Sequence, residues 1–326
     1  MIPIKKGDIK NSAKFKTVLS TLIREQQEII FNESKMYFEF DELGDLLLSA
    51  CRMNDFDIVF SEGKRTFLNN KNLLSWIYEK IIPNTVIVRI DDEDIIRLLL
   101  FSMEITYQMF LGGTRATTTA KGFRERRRTF ESILVDQFTG KLGEVMLKKF
   151  LEKNFVGKKV ELDWEISRQI EKYRTDIVNS EKKISIKSSP SLGGIWAEAD
   201  IGYDYGIMVK CSVPQQPILQ FFVEVCGFTR LLNFAEDKIP SSDTLFSKYL
   251  NNMRERVKKY KCGEIQTDLK AIICGYFNTK NFMPVEQGIE LPYLGVIREK
   301  RYLTPINTLK WRKEEWKEFF IEAKIR

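Results

Sequence analysis

Three residues of types that act on phosphate lie in one stretch of the chain. They are Glu144 in Gly140-Lys141-Leu142-Gly143-Glu144, Asp176 after Tyr173-Arg174-Thr175, and Lys187 in Lys183-Ile184-Ser185-Ile186-Lys187-Ser188. Carboxylates are hard oxygen ligands suited to Mg²⁺, and a lysine ammonium beside them can orient an attacking water or stabilise charge growing on a phosphate. Competing chemistries are removed by composition. The chain has no histidine, which excludes imidazole as base, acid, phosphoenzyme or metal ligand, and with it Ser-His-Asp hydrolases, His-ligated zinc enzymes and His-metal nucleases. Its five cysteines, Cys51, Cys211, Cys226, Cys262 and Cys274, are widely spaced and form no C-x-x-C pair. Set in apolar runs such as Val223-Glu224-Val225-Cys226, they read as reduced core thiols.

The elements that must hold the three residues follow from periodicity. Residues 173–178 and 183–188 read as strands around the polar turn Asn179-Ser180-Glu181-Lys182, with Asp176 near the start of the first. With a period of two, Ile184 and Ile186 point to a core while Ser185 and Lys187 point the other way. Glu144 belongs to an amphipathic helix whose apolar side carries Leu142, Val145, Met146 and Phe150, and falls at the margin of that arc. Around them the pattern predicts a helix at about 130–153, strands near 158–164, 206–213, 219–226 and 269–276, and helices at 243–259 and 312–323. This describes an α/β (α+β) domain with a mixed sheet flanked by helices. Residues 1–111 read as a mainly helical domain, with helices over 15–30, 40–51 and 95–110 and one strand at 85–90. Loop chemistry over 112–122 puts the boundary there, giving domains 1–111 and 112–326.

A length of 326 residues fits about two domains, and 43% hydrophobic residues with only 9 prolines exclude a disordered chain. Met1-Ile2-Pro3-Ile4-Lys5-Lys6 leads into charge without an apolar stretch, and no run is long enough to cross a membrane, so a cytoplasmic protein without a secretory signal is expected. The net charge of +7 suits a polyanionic partner. The knot Arg124, Arg126, Arg127 and Arg128, tempered by Glu125, is either a solvated surface run or a clamp on a phosphate backbone. With Arg115 and Lys121 in the preceding loop, it supplies the candidate nucleic-acid contacts. Trp311 and Trp316 read as packing anchors.

Glu144, Asp176 and Ser185-Ile186-Lys187 together resemble the PD-(D/E)xK nuclease superfamily and, within it, the type II restriction endonucleases. The likeness extends through Ser188-Ser189-Pro190, Trp196, Tyr203 to Val209 and Val223 to Phe228; it covers residues 112–326 and takes Gly140 to Glu144 as the opening of a helix. It implies a restriction-endonuclease-like sheet with Asp176 as central metal ligand, Lys187 as the strand lysine and Glu144 as the helical acid. It further implies Mg²⁺, replaceable by Mn²⁺, hydrolysis of phosphodiesters in double-stranded DNA, and a homodimer for a palindromic target. Residues 1–111 would then serve dimerisation or DNA contact, and a cognate DNA methyltransferase would be the genetic neighbour. One position departs from the pattern: Ser185 stands where the family usually has an acid. Either Glu198, Asp200 or Glu144 supplies the displaced carboxylate, or the site holds one metal on Asp176, Glu144, the Ile186 carbonyl and waters. Two further readings are a repair or recombination nuclease that recognises DNA structure, and a DNA-binding protein that keeps the fold without cleaving.

Overall fold

The computed structural model describes residues 2–4, 38–63, 65–89, 92–110, 130–166, 175–213, 232–233, 235–236, 242, 244–259 and 268–325. In chain order its main elements are β1 (Ile2–Ile4), α1 (Phe40–Met53), β2 (Val59–Glu62), β3 (Arg65–Leu68), α2 (Asn70–Ser75, continuing into a π turn Trp76–Ile81), β4 (Thr85–Arg89), α3 (Glu93–Phe110), α4 (Phe130–Asn154), β5 (Ile184–Ser189), β6 (Trp196–Asp200), β7 (Tyr205–Ser212), α5 (Thr244–Lys259), β8 (Asp268–Asn278), β9 (Glu290–Leu291), β10 (Gly295–Val296), β11 (Arg301–Pro305) and α6 (Lys313–Ala323). The result is a mixed α/β architecture. No helix among the described residues is long and apolar enough to cross a membrane.

The main sheet has the order β4-β8-β7-β5, with β5 and β7 parallel and the other two pairings antiparallel. It draws strands from both sides of residue 111. The strand expected at 85–90 is β4, which pairs with β8, and α3 is tied to α4 by Lys149 to Asp92 at 2.9 Å and Lys148 to Asp94 at 3.3 Å.

Each face of the sheet carries its own core. On one face Ile184, Ile186, Ile207 and Val209 meet α4 and the aromatic end of α6, Trp316, Phe319 and Phe320. On the other, Met208, Ile272, Cys274 and Phe277 meet α1, Trp76 and Ile77 of the π turn, and Ala197 and Ala199 of β6. Each fully buried Leu or Ile here stabilises by about 2 kcal/mol. The alternation read from Ile184-Ser185-Ile186-Lys187 therefore divides these side chains between the two faces as expected.

α4 is covered nearly all round over its central turns, with Phe138, Leu142, Met146 and Leu151 buried and only Gly140 exposed between residues 138 and 151, as suits a central helix. It comes close to β5 because residue 143 is glycine: a Cβ there would stand 1.9 Å from Ser188 Oγ. Ser188 Oγ donates to the Gly140 carbonyl at 2.8 Å across the same contact. α1 starts with a reciprocal cap in which the Glu39 N–H donates to Glu42 Oε2 at 2.8 Å, and it ends on Asn54 in the left-handed region at φ 50°.

Several expected elements differ. The helix at 15–30 and the strand at 219–226 fall outside the described residues. Over 158–164 and 175–178 the chain forms only an isolated bridge, Leu162 to Ile177, in place of two strands. Gly140 does not open a helix, since α4 begins ten residues earlier at Phe130. β6 and β11, which pair antiparallel from Trp196–Pro305 to Asp200–Arg301, were not anticipated. Trp196-Ala197-Glu198-Ala199-Asp200 has two alanines where strand formers are usual, and its partner lies about a hundred residues away.

Candidate active site

β5 is an edge strand of the main sheet, and the segment carrying Asp176 docks against its outer side. Asp176 donates its N–H to the Ile184 carbonyl at 2.9 Å, and its Oδ2 accepts from the Ile186 N–H at 2.6 Å. The carboxylate is thereby fixed between the two isoleucines of the strand. Burial pushes the Asp176 carboxyl above its ordinary range, against the Ile186 N–H and the charges of Lys141 and Lys187, which favour ionisation.

Glu144 approaches from the α4 side, as the fifteenth residue of a 25-residue helix. Its carboxyl is pushed up to about 8, first by burial and then by the charge of Asp176, with Lys141 acting in the opposite direction. Asp176 thus raises Glu144, and Asp200 in turn raises Asp176, in spite of the two lysines.

Lys187 approaches from the opposite face. Its Nζ lies 2.5 Å from Asp200 Oδ2 on β6, with 29% of the lysine side chain and 44% of the aspartate exposed. Ser185, on the Lys187 side of β5, is buried at 2% exposure and brings no carboxylate. Tyr203, in the turn between β6 and β7, lies within electrostatic reach of Asp176, Asp200 and Glu144. Burial, then those three charges, hold its phenol above the usual tyrosine range.

Of the residues singled out from sequence, Asp176, Glu144, Lys187 and Asp200 are thus brought to one edge, with Ser185 beside them. Glu198 is not. It shares a face of β6 with Asp200 but pairs with Arg301 of β11 at 2.6 Å, so the displaced acid nearest the lysine is Asp200. Arg115, Lys121, Arg124, Arg126, Arg127 and Arg128 lie outside the described residues. Two members of the site were missed: Lys141 and Tyr203. Lys141 stands one turn before Glu144, a spacing at which helical side chains meet, and that spacing was available in the sequence. Tyr203 had no such signal.

Among the described residues no group of three or more His, Cys, Asp or Glu side chains could hold a metal ion by itself. Mg²⁺ does not require one, because it keeps several waters and is commonly held by one or two carboxylates plus substrate phosphate oxygens. Half-buried Asp176 and Glu144, both with carboxyls raised chiefly by desolvation, match that two-carboxylate requirement. Among the described residues Cys51, Cys211 and Cys274 are free, buried thiols. Compared with known proteins, the chain matches no family model, no curated protein and no solved structure.

Proposed function

We propose that this chain is a Mg²⁺-dependent endonuclease that hydrolyses phosphodiesters in duplex DNA, of the type II restriction kind. The observation that carries the reading is the convergence of Asp176 and Glu144 with Lys187 at the open edge of β5, one acid from each of two elements and the lysine from the strand itself. Asp176, locked by the Ile186 N–H, and Glu144 would hold a Mg²⁺, which would supply the charge that polarises a phosphoryl oxygen and lowers the pKa of a bound water. Lys187 is aimed by Asp200, and it positions the attacking water or the non-bridging phosphate oxygen in line with the leaving group. The net charge of +7 favours a polyanionic substrate. A palindromic target requires two copies related by a two-fold axis, each cutting one strand.

Incubation of the whole chain with plasmid DNA and Mg²⁺ is the test. Discrete fragments that disappear in EDTA are expected. Smearing, or cutting confined to branched substrates, replaces the restriction reading by a repair or recombination nuclease. Binding without cutting replaces it by a DNA-binding protein, the reading favoured by the missing acid at Ser185. Undiminished cleavage in excess EDTA rejects the metal requirement.

A further inference from the structure

We infer that Lys141 is a built-in cation of this site and limits it to a single divalent ion per chain. This rests on the nuclease reading above. Lys141 Nζ lies 2.6 Å from Glu144 Oε2 and also donates to the Asp163 carbonyl. Its ammonium stands 5.2 Å from the centre of the Phe101 ring and 5.0 Å from that of Trp164, two rings that meet edge to face at 5.6 Å. Only 7% of the side chain is exposed. A lysine usually leads its charge out to water. Here one carboxylate, one carbonyl and two aromatic faces replace the water, so the charge stays inside.

The consequence follows from how the oxygens are occupied. Glu144 Oε2 already accepts from Lys141 and Asp176 Oδ2 from the Ile186 N–H, so each of these oxygens keeps one further lone pair for a cation. What remains of the two carboxylates suffices for one ion that completes its shell with water and phosphate. A second divalent ion on the Glu144 side would meet a fixed like charge, because the Lys141 ammonium acts on both Glu144 and Asp176. Lys141 thus does by side chain what a second metal does elsewhere, namely offset the convergence of acids. It is a positioning residue acting through Glu144.

The test counts Mn²⁺ bound to the whole chain by electron paramagnetic resonance, with an uncleavable phosphorothioate duplex present, and repeats the count for Lys141→Met, Lys141→Gln and Lys141→Arg. One ion is expected in the wild type and in Lys141→Arg. In Lys141→Met and Lys141→Gln a second ion enters, and the Mn²⁺ dependence becomes sigmoidal, a change that loss of packing alone does not produce. Two ions in the wild type overturn the inference and leave the nuclease reading standing, as does a count of one in both neutral variants. No bound ion in the wild type overturns both. If circular dichroism shows the neutral variants unfolded, the wild-type count still decides.

Discussion

Two clusters of charge are built differently, one astride the edge of β5 and one beneath the face of the main sheet that meets α1. At the edge of β5, Glu144, Asp176 and Asp200 face Lys141, Lys187 and, at Asp200, Arg301; the Asp176 charge raises Glu144 and the Asp200 charge raises Asp176. Beneath the α1 face, Asp55 accepts from both Lys80 Nζ at 2.7 Å and Trp76 Nε1 at 3.0 Å, while Lys210 donates to Ser49 Oγ at 2.9 Å and to the Leu192 carbonyl at 2.7 Å. The second cluster is closed: each charge has its partners within the fold, and it ties α1 and the π turn to β7. In the first, the carboxyls of Glu144 and Asp176 are raised in spite of their lysines, and Lys187 and Asp200 keep 29% and 44% of their side chains exposed. Burial alone therefore does not mark a site. Perturbed acids beside partly exposed charges do.

The sharpest way to break this contrast is to remove one acid from each cluster. Asp176→Ala, and separately Lys187→Ala, should lower Mg²⁺-dependent cleavage by about 10³-fold or more; metal-free DNA binding survives in Asp176→Ala, because removing an acid lessens repulsion of phosphate. Asp55→Ala should do the reverse. It leaves Lys80 buried and unpaired at 6% side-chain exposure, costs about 3–5 kcal/mol in chemical denaturation, and leaves the cleavage rate per folded molecule unchanged. If Asp55→Ala abolishes cutting in molecules that remain folded, or Asp176→Ala cuts normally, the division between site and staple is wrong.

A finer cut separates the two acids of β6. Asp200→Ala should lower the cleavage rate about tenfold by releasing Lys187, an effect on orientation rather than on charge alone. Glu198→Ala should change it by less than about twofold, since Glu198 serves only the Arg301 pair, whose partly exposed geometry contributes little. Equal losses in the two variants, measured at saturating Mg²⁺, would place Glu198 in the site after all.

How much of this was legible varies with how local each signal is. Lys187 and the division of Ile184 and Ile186 from it follow from a period of two over six residues, and β5 keeps them, whereas the strand expected to carry Asp176 forms only an isolated bridge at Ile177. The extent of α4 follows from its apolar spacing, since the helix expected at about 130–153 runs from Phe130 to Asn154; the opening at Gly140 that the resemblance implied is an interior position of it. Gly143 is what allows α4 to touch Ser188. Asp200 could not be preferred to Glu198 from sequence, since the choice depends on how β6 faces β5 and on Arg301 arriving from β11. Long-range pairing of that kind leaves no local trace. The burial of Lys141 likewise depends on Phe101 and Trp164, one forty residues before it and one twenty-three after.

The closed cluster is tested through its dependence on pH. Lys210 is 2% exposed and, chiefly through burial, has its ammonium pKa brought from 10.5 down to about 8. It is faced by Asp45 and Ser49 of α1, Asp55, Lys80 of the π turn and Cys274 of β8. Below about pH 8 both the folded and the unfolded chain hold the proton, so the cost of burying the charge is present in full. Between about 8 and 10.5 the unfolded chain still holds a proton that the folded chain has lost, and the Lys210 contribution to stability rises with pH. The buried thiols act in the opposite sense. Burial pushes Cys51 up to about 12 and raises Cys211 and Cys274, so above their ordinary value of 9.0 the unfolded chain loses those protons first and stability falls. Only a difference isolates the lysine. Measured by urea unfolding against Lys210→Met, the wild type should gain on the order of 2 kcal/mol relative to the variant between about pH 7 and pH 10. Parallel stability curves for the two proteins would mean that Lys210 keeps its charge throughout, and that the closed cluster accommodates a full ammonium as readily as water does.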